Sequence, residues 1–123
     1  MRVDQLSAAL LLGLGACSGP TAVSEGDFTI RATGQDVLLV NSAERPTFYF
    51  LVERDTAAVI NFATCVQGPQ CPHVAAGATV GVPYTRITGY QPGKREIIVY
   101  WWRSVPSSSG PQVERLHSTV LEL

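Results

Sequence analysis

Residues 96–103, with the sequence Glu-Ile-Ile-Val-Tyr-Trp-Trp-Arg, are the densest apolar run after the N-terminal segment. Valine, isoleucine, tyrosine and tryptophan are residue types that favour β-strands. A strand with one face in water alternates apolar and polar residues, whereas this run is apolar on both faces. The two faces are Ile97, Val99 and Trp101 on one side and Ile98, Tyr100 and Trp102 on the other. The run therefore predicts a β-strand with one face in the core and a second apolar face that a loop covers or a partner contacts.

The rest of the chain after residue 26 has the same β character. Short stretches rich in Val, Ile and Thr are bounded by Gly, Pro, Asn and Asp, and no window of a dozen residues has a helical period. The predicted strands are Phe28–Thr33, Val37–Asn41, Thr47–Glu53, Ala57–Phe62, Ala78–Pro83, Glu96–Arg103 and Gln112–Leu121. Short strands without helical crossovers predict an all-β antiparallel sandwich of about seven strands. A small β-barrel is the alternative architecture.

Residues 87–100 resemble the corner that precedes the penultimate strand of fibronectin type III and other immunoglobulin-like domains. Ile87 supplies the apolar residue, Pro92-Gly93 supplies the turn, and an alternating strand follows. The tyrosine that usually closes this corner through its hydroxyl would fall near Glu96, which leaves Tyr90 or Tyr100 as substitutes. The resemblance implies an immunoglobulin-like sandwich, without the inter-sheet disulfide of antibody domains.

The N-terminal sequence predicts an export signal. Residues 1–16 contain Arg2 and then an apolar run at residues 6–14, which is too short for the roughly 20 residues of a membrane-spanning helix. The sequence Leu-Gly-Ala-Cys at residues 14–17 resembles the lipobox of bacterial lipoproteins. That resemblance implies removal of residues 1–16 and a lipid on Cys17, and Ser18 resembles the sorting pattern of outer-membrane lipoproteins. An ordinary secretory signal with an incidental cysteine is the alternative.

The signal divides the chain into three parts. Residues 17–26 are small, polar and rich in turn-forming residues, so we predict a flexible tether there and a single domain over residues 27–123. The lipid on Cys17 would anchor this domain in the membrane, because two or more acyl chains give stable anchoring.

The two remaining cysteines, Cys65 and Cys71, can form a disulfide in the oxidising compartment that export reaches. The bond would close a loop over Val66–Gln70, which contains Gly and Pro at its middle. Two alternatives use the same segment. Cys65, Cys71 and His73 would bind Cu or Zn if the thiols were reduced, or the constrained loop would serve as bait for a protease.

Composition excludes several function classes. The chain has 123 residues, a net charge of −1, 46% hydrophobic residues and 15% charged residues, which suits one domain and gives no basic surface for nucleic acid. The sequence has no nucleophile elbow, zinc-protease motif or phosphate-binding loop. We therefore predict a non-enzymatic protein without a cofactor, which binds or supports another envelope protein or a polymer.

The aromatic strand leaves two interpretations open. One face fills the core, and the other is covered by a loop such as Ser104–Pro111. Alternatively, an exposed aromatic patch contacts a partner. The residues of that candidate interaction surface are Tyr49, Tyr100, Trp101 and Trp102.

Overall fold

The computed structural model describes residues 19–123, and the predicted signal peptide and Cys17 lie outside this range. The strands are β1 (Ala22–Glu25), β2 (Phe28–Ala32), β3 (Asp36–Asn41), β4 (Thr47–Glu53), β5 (His73–Val74), β6 (Thr79–Pro83), β7 (Glu96–Val105) and β8 (Gln112–Glu122). One helical turn, α1 (Arg54–Ala57), follows β4, and a 3-10 turn at Tyr84–Arg86 follows β6.

The strands form two antiparallel four-stranded sheets that pack against each other. The first sheet has the order β1-β2-β3-β6 and the second the order β5-β4-β7-β8. The predicted all-β sandwich is therefore confirmed. The predicted aromatic strand is β7, and it lies at the centre of the second sheet between β4 and β8.

Alternation along the strands builds the core between the sheets. β3 has the burial pattern expected of a strand with one inner face, and its inward residues Val37 and Leu39 are fully buried. From the opposite sheet, Ile97, Val99 and Trp101 of β7 enter the same core cluster. The rings of Phe28 and Trp101 are 5.5 Å apart, which joins the two sheets through an aromatic contact.

One predicted strand is wrong. Ala57–Phe62 was expected to be a strand, but the structure has α1 at Arg54–Ala57 followed by an irregular segment. The cause lies in Glu53, whose carboxylate oxygens accept hydrogen bonds from the backbone N–H groups of Asp55 (2.8 Å) and Thr56 (2.9 Å). A side chain that satisfies these N–H groups favours a helical turn over a continued strand.

The ordered sheet also begins earlier than predicted. β1 occupies part of the segment 17–26 that we expected to be a flexible tether, and it pairs with β2 from Ala22 to Glu25. The backbone N–H of Glu122 donates to the carbonyl of Pro20 at 2.7 Å, so the chain enters the domain beside the end of β8.

Among residues 19–123, no helix is long and apolar enough to cross a membrane.

Candidate functional site

The outer face of the second sheet is covered by the segment 58–72, which we call the cover segment. Its residue Phe62 stacks on Phe50 and packs against Tyr100 in a tilted arrangement, with ring centroids 4.6 and 4.7 Å apart respectively. The indole Nε1–H of Trp102 donates to the carbonyl of Cys65 at 2.9 Å. The expectation that a loop shields this face is therefore correct, but the expected loop Ser104–Pro111 is wrong. Ser104 and Val105 belong to β7, and only residues 106–111 form the connection between β7 and β8. The aromatic residue that covers the face is Phe62 of the cover segment.

The predicted disulfide between Cys65 and Cys71 is confirmed and closes the end of the cover segment. Cys71 is 1% exposed and packs in one cluster with Phe48 and Trp102, so the bond fastens the cover segment to the sheet. Because the two sulfurs are bonded to each other, they cannot act as thiolate ligands together with His73. Within residues 19–123, no group of three or more His, Cys, Asp or Glu side chains is placed to hold a metal ion.

The residues between the two cysteines form an exposed loop. Gln67, Gly68, Pro69 and Gln70 are all exposed. The backbone N–H of Cys71 donates to the carbonyl of Gly68 at 3.2 Å, which makes the loop a tight turn. Its predicted use as a protease bait stays a prediction.

The structure separates the four residues predicted to form an interaction surface. Trp101 and Trp102 are 4% and 2% exposed, so neither indole lies at the surface. Tyr100 is half-buried under Phe62 on the outer face. Tyr49 is also half-buried, but it lies on the inner side of β4 and packs against the core cluster. Tyr49 is the one of the four that lines the cleft between β4 and β6.

That cleft lies between β4 and β6, on the side of the sandwich away from β8, and we call it the β4–β6 cleft. Its volume is about 340 Å³, within the range of about 300–1,000 Å³ that is usual for ligand sites. One wall is the stretch of β4 from Tyr49 to Leu51, and the other is the stretch of β6 from Val80 to Pro83. Pro72, Arg86 and Thr88 complete the lining.

The cleft exists because β5 is only two residues long and leaves part of β4 unpaired. β5 pairs with β4 only at Thr47 and Phe48. Farther along β4, the backbone N–H of Thr88 donates to the carbonyl of Leu51 at 3.3 Å. Between these two points no strand of the described chain pairs with the edge of β4 opposite β7, although the backbone N–H of Tyr49 donates to the carbonyl of Pro72 at 3.3 Å. Tyr49 is only half-buried there, whereas Leu51 is buried.

β6 forms the other wall as the edge strand of its sheet. The carbonyl of Ala78 accepts the N–H of Asn41 on β3, so the backbone groups of residues 80 and 82 also face β3. By the same alternation, the backbone N–H and C=O of Gly81 face away from β3. Pro83, which has no N–H, falls on this outward side, as expected for proline in an edge strand.

Arg86 and Tyr49 are the polar groups of the cleft. Arg86 is exposed, and among residues 19–123 no carboxylate lies within 4.0 Å of its guanidinium. Burial raises the pKa of the Tyr49 hydroxyl, and the nearby charge of Arg86 acts in the opposite direction. The cleft therefore combines an apolar wall, a neutral phenol and one cation that has no carboxylate partner among residues 19–123.

A second cleft of about 320 Å³ lies where β7 and β8 meet the turn between β1 and β2. It is lined mainly by charged side chains, most of which pair with one another. Arg103 contacts Asp27 at 2.7 Å, and Arg45 contacts Glu114 at 2.8 Å. The Arg103 guanidinium also lowers the pKa of Asp27 through its hydrogen bond. Because these charges neutralise each other, this cleft offers less to a ligand than the β4–β6 cleft.

The sequence interpretation did not identify Gly81, Val82 or Arg86 as site residues. A usable signal was present, since a glycine and a proline inside the predicted strand Ala78–Pro83 indicate an edge strand approached by another backbone. Outside the cleft, the sequence interpretation also did not identify Tyr84, whose hydroxyl accepts a hydrogen bond from the backbone N–H of Gly34 at 3.0 Å. The ring of Tyr90 packs against the ring of Tyr84, with centroids 5.9 Å apart.

No known protein family, curated protein or solved structure matches this chain.

Proposed function

We propose that this chain is a non-enzymatic binding module of the bacterial cell envelope, anchored by a lipid in the outer membrane. In this proposal Cys17 carries the lipid, and the β4–β6 cleft contacts another envelope protein or a polymer. The observation that carries the binding role is the cleft itself. It is an apolar opening beside the edge strand β6, with the cation of Arg86, which has no carboxylate partner in the described part of the chain, at its rim.

The position of the cleft relative to the chain entry supports this arrangement. The chain enters the domain at Pro20, beside the end of β8, which is one edge of the second sheet. The cleft lies at the opposite edge, where β5 and β4 face β6. Cys17 precedes Pro20 by three residues in the sequence. A lipid attached there leaves the cleft side free for a partner.

Mass spectrometry of the mature protein tests the anchor. We expect a protein that begins at Cys17, carries the mass of a diacylglyceryl group and fractionates with membranes. The variant Cys17→Ser should retain its signal peptide and lose the lipid. Normal maturation of this variant without loss from the membrane fraction would contradict the anchor.

Site-specific photo-cross-linking in intact cells tests the binding surface. A cross-linking amino acid at Thr79 would sit on the exposed edge of β6, and one at Arg31 would sit on β2, which lies between two other strands. Both positions are exposed, so they form a matched pair. We expect an envelope adduct from position 79 and none from position 31. Equal adducts from both positions would mean that the cleft side is not the binding surface.

A further inference from the structure

The edge of β6 has the backbone pattern that a further β-strand needs. Gly81 presents its N–H and C=O away from β3, and its exposed position carries no side chain that hinders an approaching backbone. Within the described chain no strand occupies this edge. An added strand would lie about 4.8 Å from β6 and over the mouth of the cleft.

The side chains around this edge determine which residues of an added strand fit the cleft. Val80 and Val82 point inward, pack against the core and are only half-buried. Tyr49 faces them from β4 across the cleft. Alternate side chains of an added strand would enter the cleft, so apolar residues there would complete the cover of the core.

Arg86 adds a charge preference. It follows β6 in the 3-10 turn, lies in the cleft lining and has no carboxylate partner among residues 19–123. A carboxylate on the incoming segment would supply that partner and form a charge-assisted hydrogen bond. The second cleft also borders an edge strand, β8, and its residue Arg115 has no carboxylate partner among residues 19–123, but its lining is mainly charged and lacks the apolar wall of the β4–β6 cleft.

We propose that the partner is bound as an extended peptide segment that adds to the edge of β6, with alternating apolar residues and a carboxylate near Arg86. Main-chain hydrogen bonds to Gly81 provide affinity, and the cleft and Arg86 provide specificity, as in other cases of strand addition. This inference rests on the proposed binding role of the cleft and names the mode and the chemical class of its partner.

Substitutions at Gly81 test the backbone contact directly. Gly81→Pro removes the outward N–H, and it costs no hydrogen bond to β3 because that N–H faces away from β3. Gly81→Ala retains the N–H and is the matched control, since a Cβ at this position meets only Leu38 at 3.4 Å and Asp36 at 3.9 Å. Thermal unfolding of both variants checks that the fold is retained.

The probe is a library of random heptapeptides, screened against the mature full-length protein in detergent. We expect enriched peptides with alternating apolar residues and one acidic residue. Gly81→Pro should weaken the best peptide at least about tenfold, while Gly81→Ala should leave its affinity within about twofold. Arg86→Gln should weaken it about tenfold at low salt and less at high salt.

The affinities of these variants distinguish a failure of strand addition from a failure of the cleft as the binding site. If the enriched peptides bind Gly81→Pro with unchanged affinity but bind Val82→Glu more weakly, strand addition is overturned and the cleft remains the binding site. Peptides that bind Gly81→Pro, Val82→Glu and Arg86→Gln as tightly as the unmodified protein would overturn both. If Gly81→Pro does not fold, hydrogen exchange of the Gly81 amide in the unmodified protein decides. Slower exchange with peptide supports strand addition, and unchanged exchange overturns it.

Discussion

Removal of the buried amide of Asn41 should destabilise the domain by several kcal/mol, because this side chain ties the two sheets together. Asn41 lies at the end of β3 and is fully buried. Its Nδ2 donates to the carbonyl of Val74 on β5 at 3.0 Å and to the carbonyl of Arg45 at 2.7 Å. Its Oδ1 accepts the backbone N–H of Ala43 at 3.0 Å. The variant Asn41→Ala loses these three contacts and two longer ones, to the carbonyl of Ala75 at 3.3 Å and from the guanidinium of Arg103 at 3.4 Å.

The magnitude follows from these contacts. Each hydrogen bond contributes about 0.5–1.5 kcal/mol net, and a buried carbonyl left without a donor costs about 1–3 kcal/mol. We expect Asn41→Ala to lower the free energy of unfolding by about 2–4 kcal/mol. That loss is a large part of the roughly 5–15 kcal/mol that stabilises a typical domain.

Urea unfolding followed by tryptophan fluorescence measures this loss. The matched control is Asn61→Ala, because Asn61 is an exposed residue of the cover segment. We expect the control to change the free energy by no more than about 0.5 kcal/mol. If Asn41→Ala loses less than about 1 kcal/mol, or no more than the control, then the hydrogen bonds of Asn41 do not hold the sheets together as argued.

Three further predictions concern the cover segment and the end of β4. Reduction of the Cys65–Cys71 disulfide should lower the free energy of unfolding by about 2 kcal/mol from loop entropy, as measured by urea unfolding with and without reductant; identical curves would contradict it. Phe62→Ala should uncover the aromatic face and increase binding of a hydrophobic dye, whereas Val59→Ala, at a residue 81% exposed, should not. The pKa of Glu53 is lowered, chiefly by the hydrogen bond from the backbone N–H of Asp55. The ionised Glu53 therefore stabilises the folded domain above pH 4.5, and this stabilisation is lost as the pH falls. Acid unfolding should therefore depend less on pH in Glu53→Gln, and parallel profiles for the two proteins would refute this.

The strands of the core could be predicted because burial of one face imposes a period of two on the sequence. The strand Thr47–Glu53 has the predicted bounds, and the strand predicted at Glu96–Arg103 continues two residues further, to Val105. β1 could not be predicted, since its residues Ala22–Glu25 are mostly exposed and its pairing with β2 comes from backbone contacts. Ala57–Phe62 has β-forming residues, but the Glu53 cap outweighs that preference.

The candidate site was less accessible to sequence reasoning. The cleft depends on which strands end at the sheet edges, and that depends on pairings between residues far apart in the chain. Tyr49 and Arg86 are separated by 37 residues and meet only because β4 and β6 face each other across the open side of the sandwich. The aromatic run at Tyr100–Trp102 attracted attention in the sequence, but the cover segment and the core bury it.

Hydrogen exchange at the Gly81 amide, with and without the envelope partner or a selected peptide, tests the role of the β4–β6 cleft most directly. The account predicts rapid exchange in the free protein, because this N–H faces outward from an edge strand, and slow exchange in the complex. Binding that leaves the exchange of Gly81 unchanged and protects the β8 edge instead would contradict it.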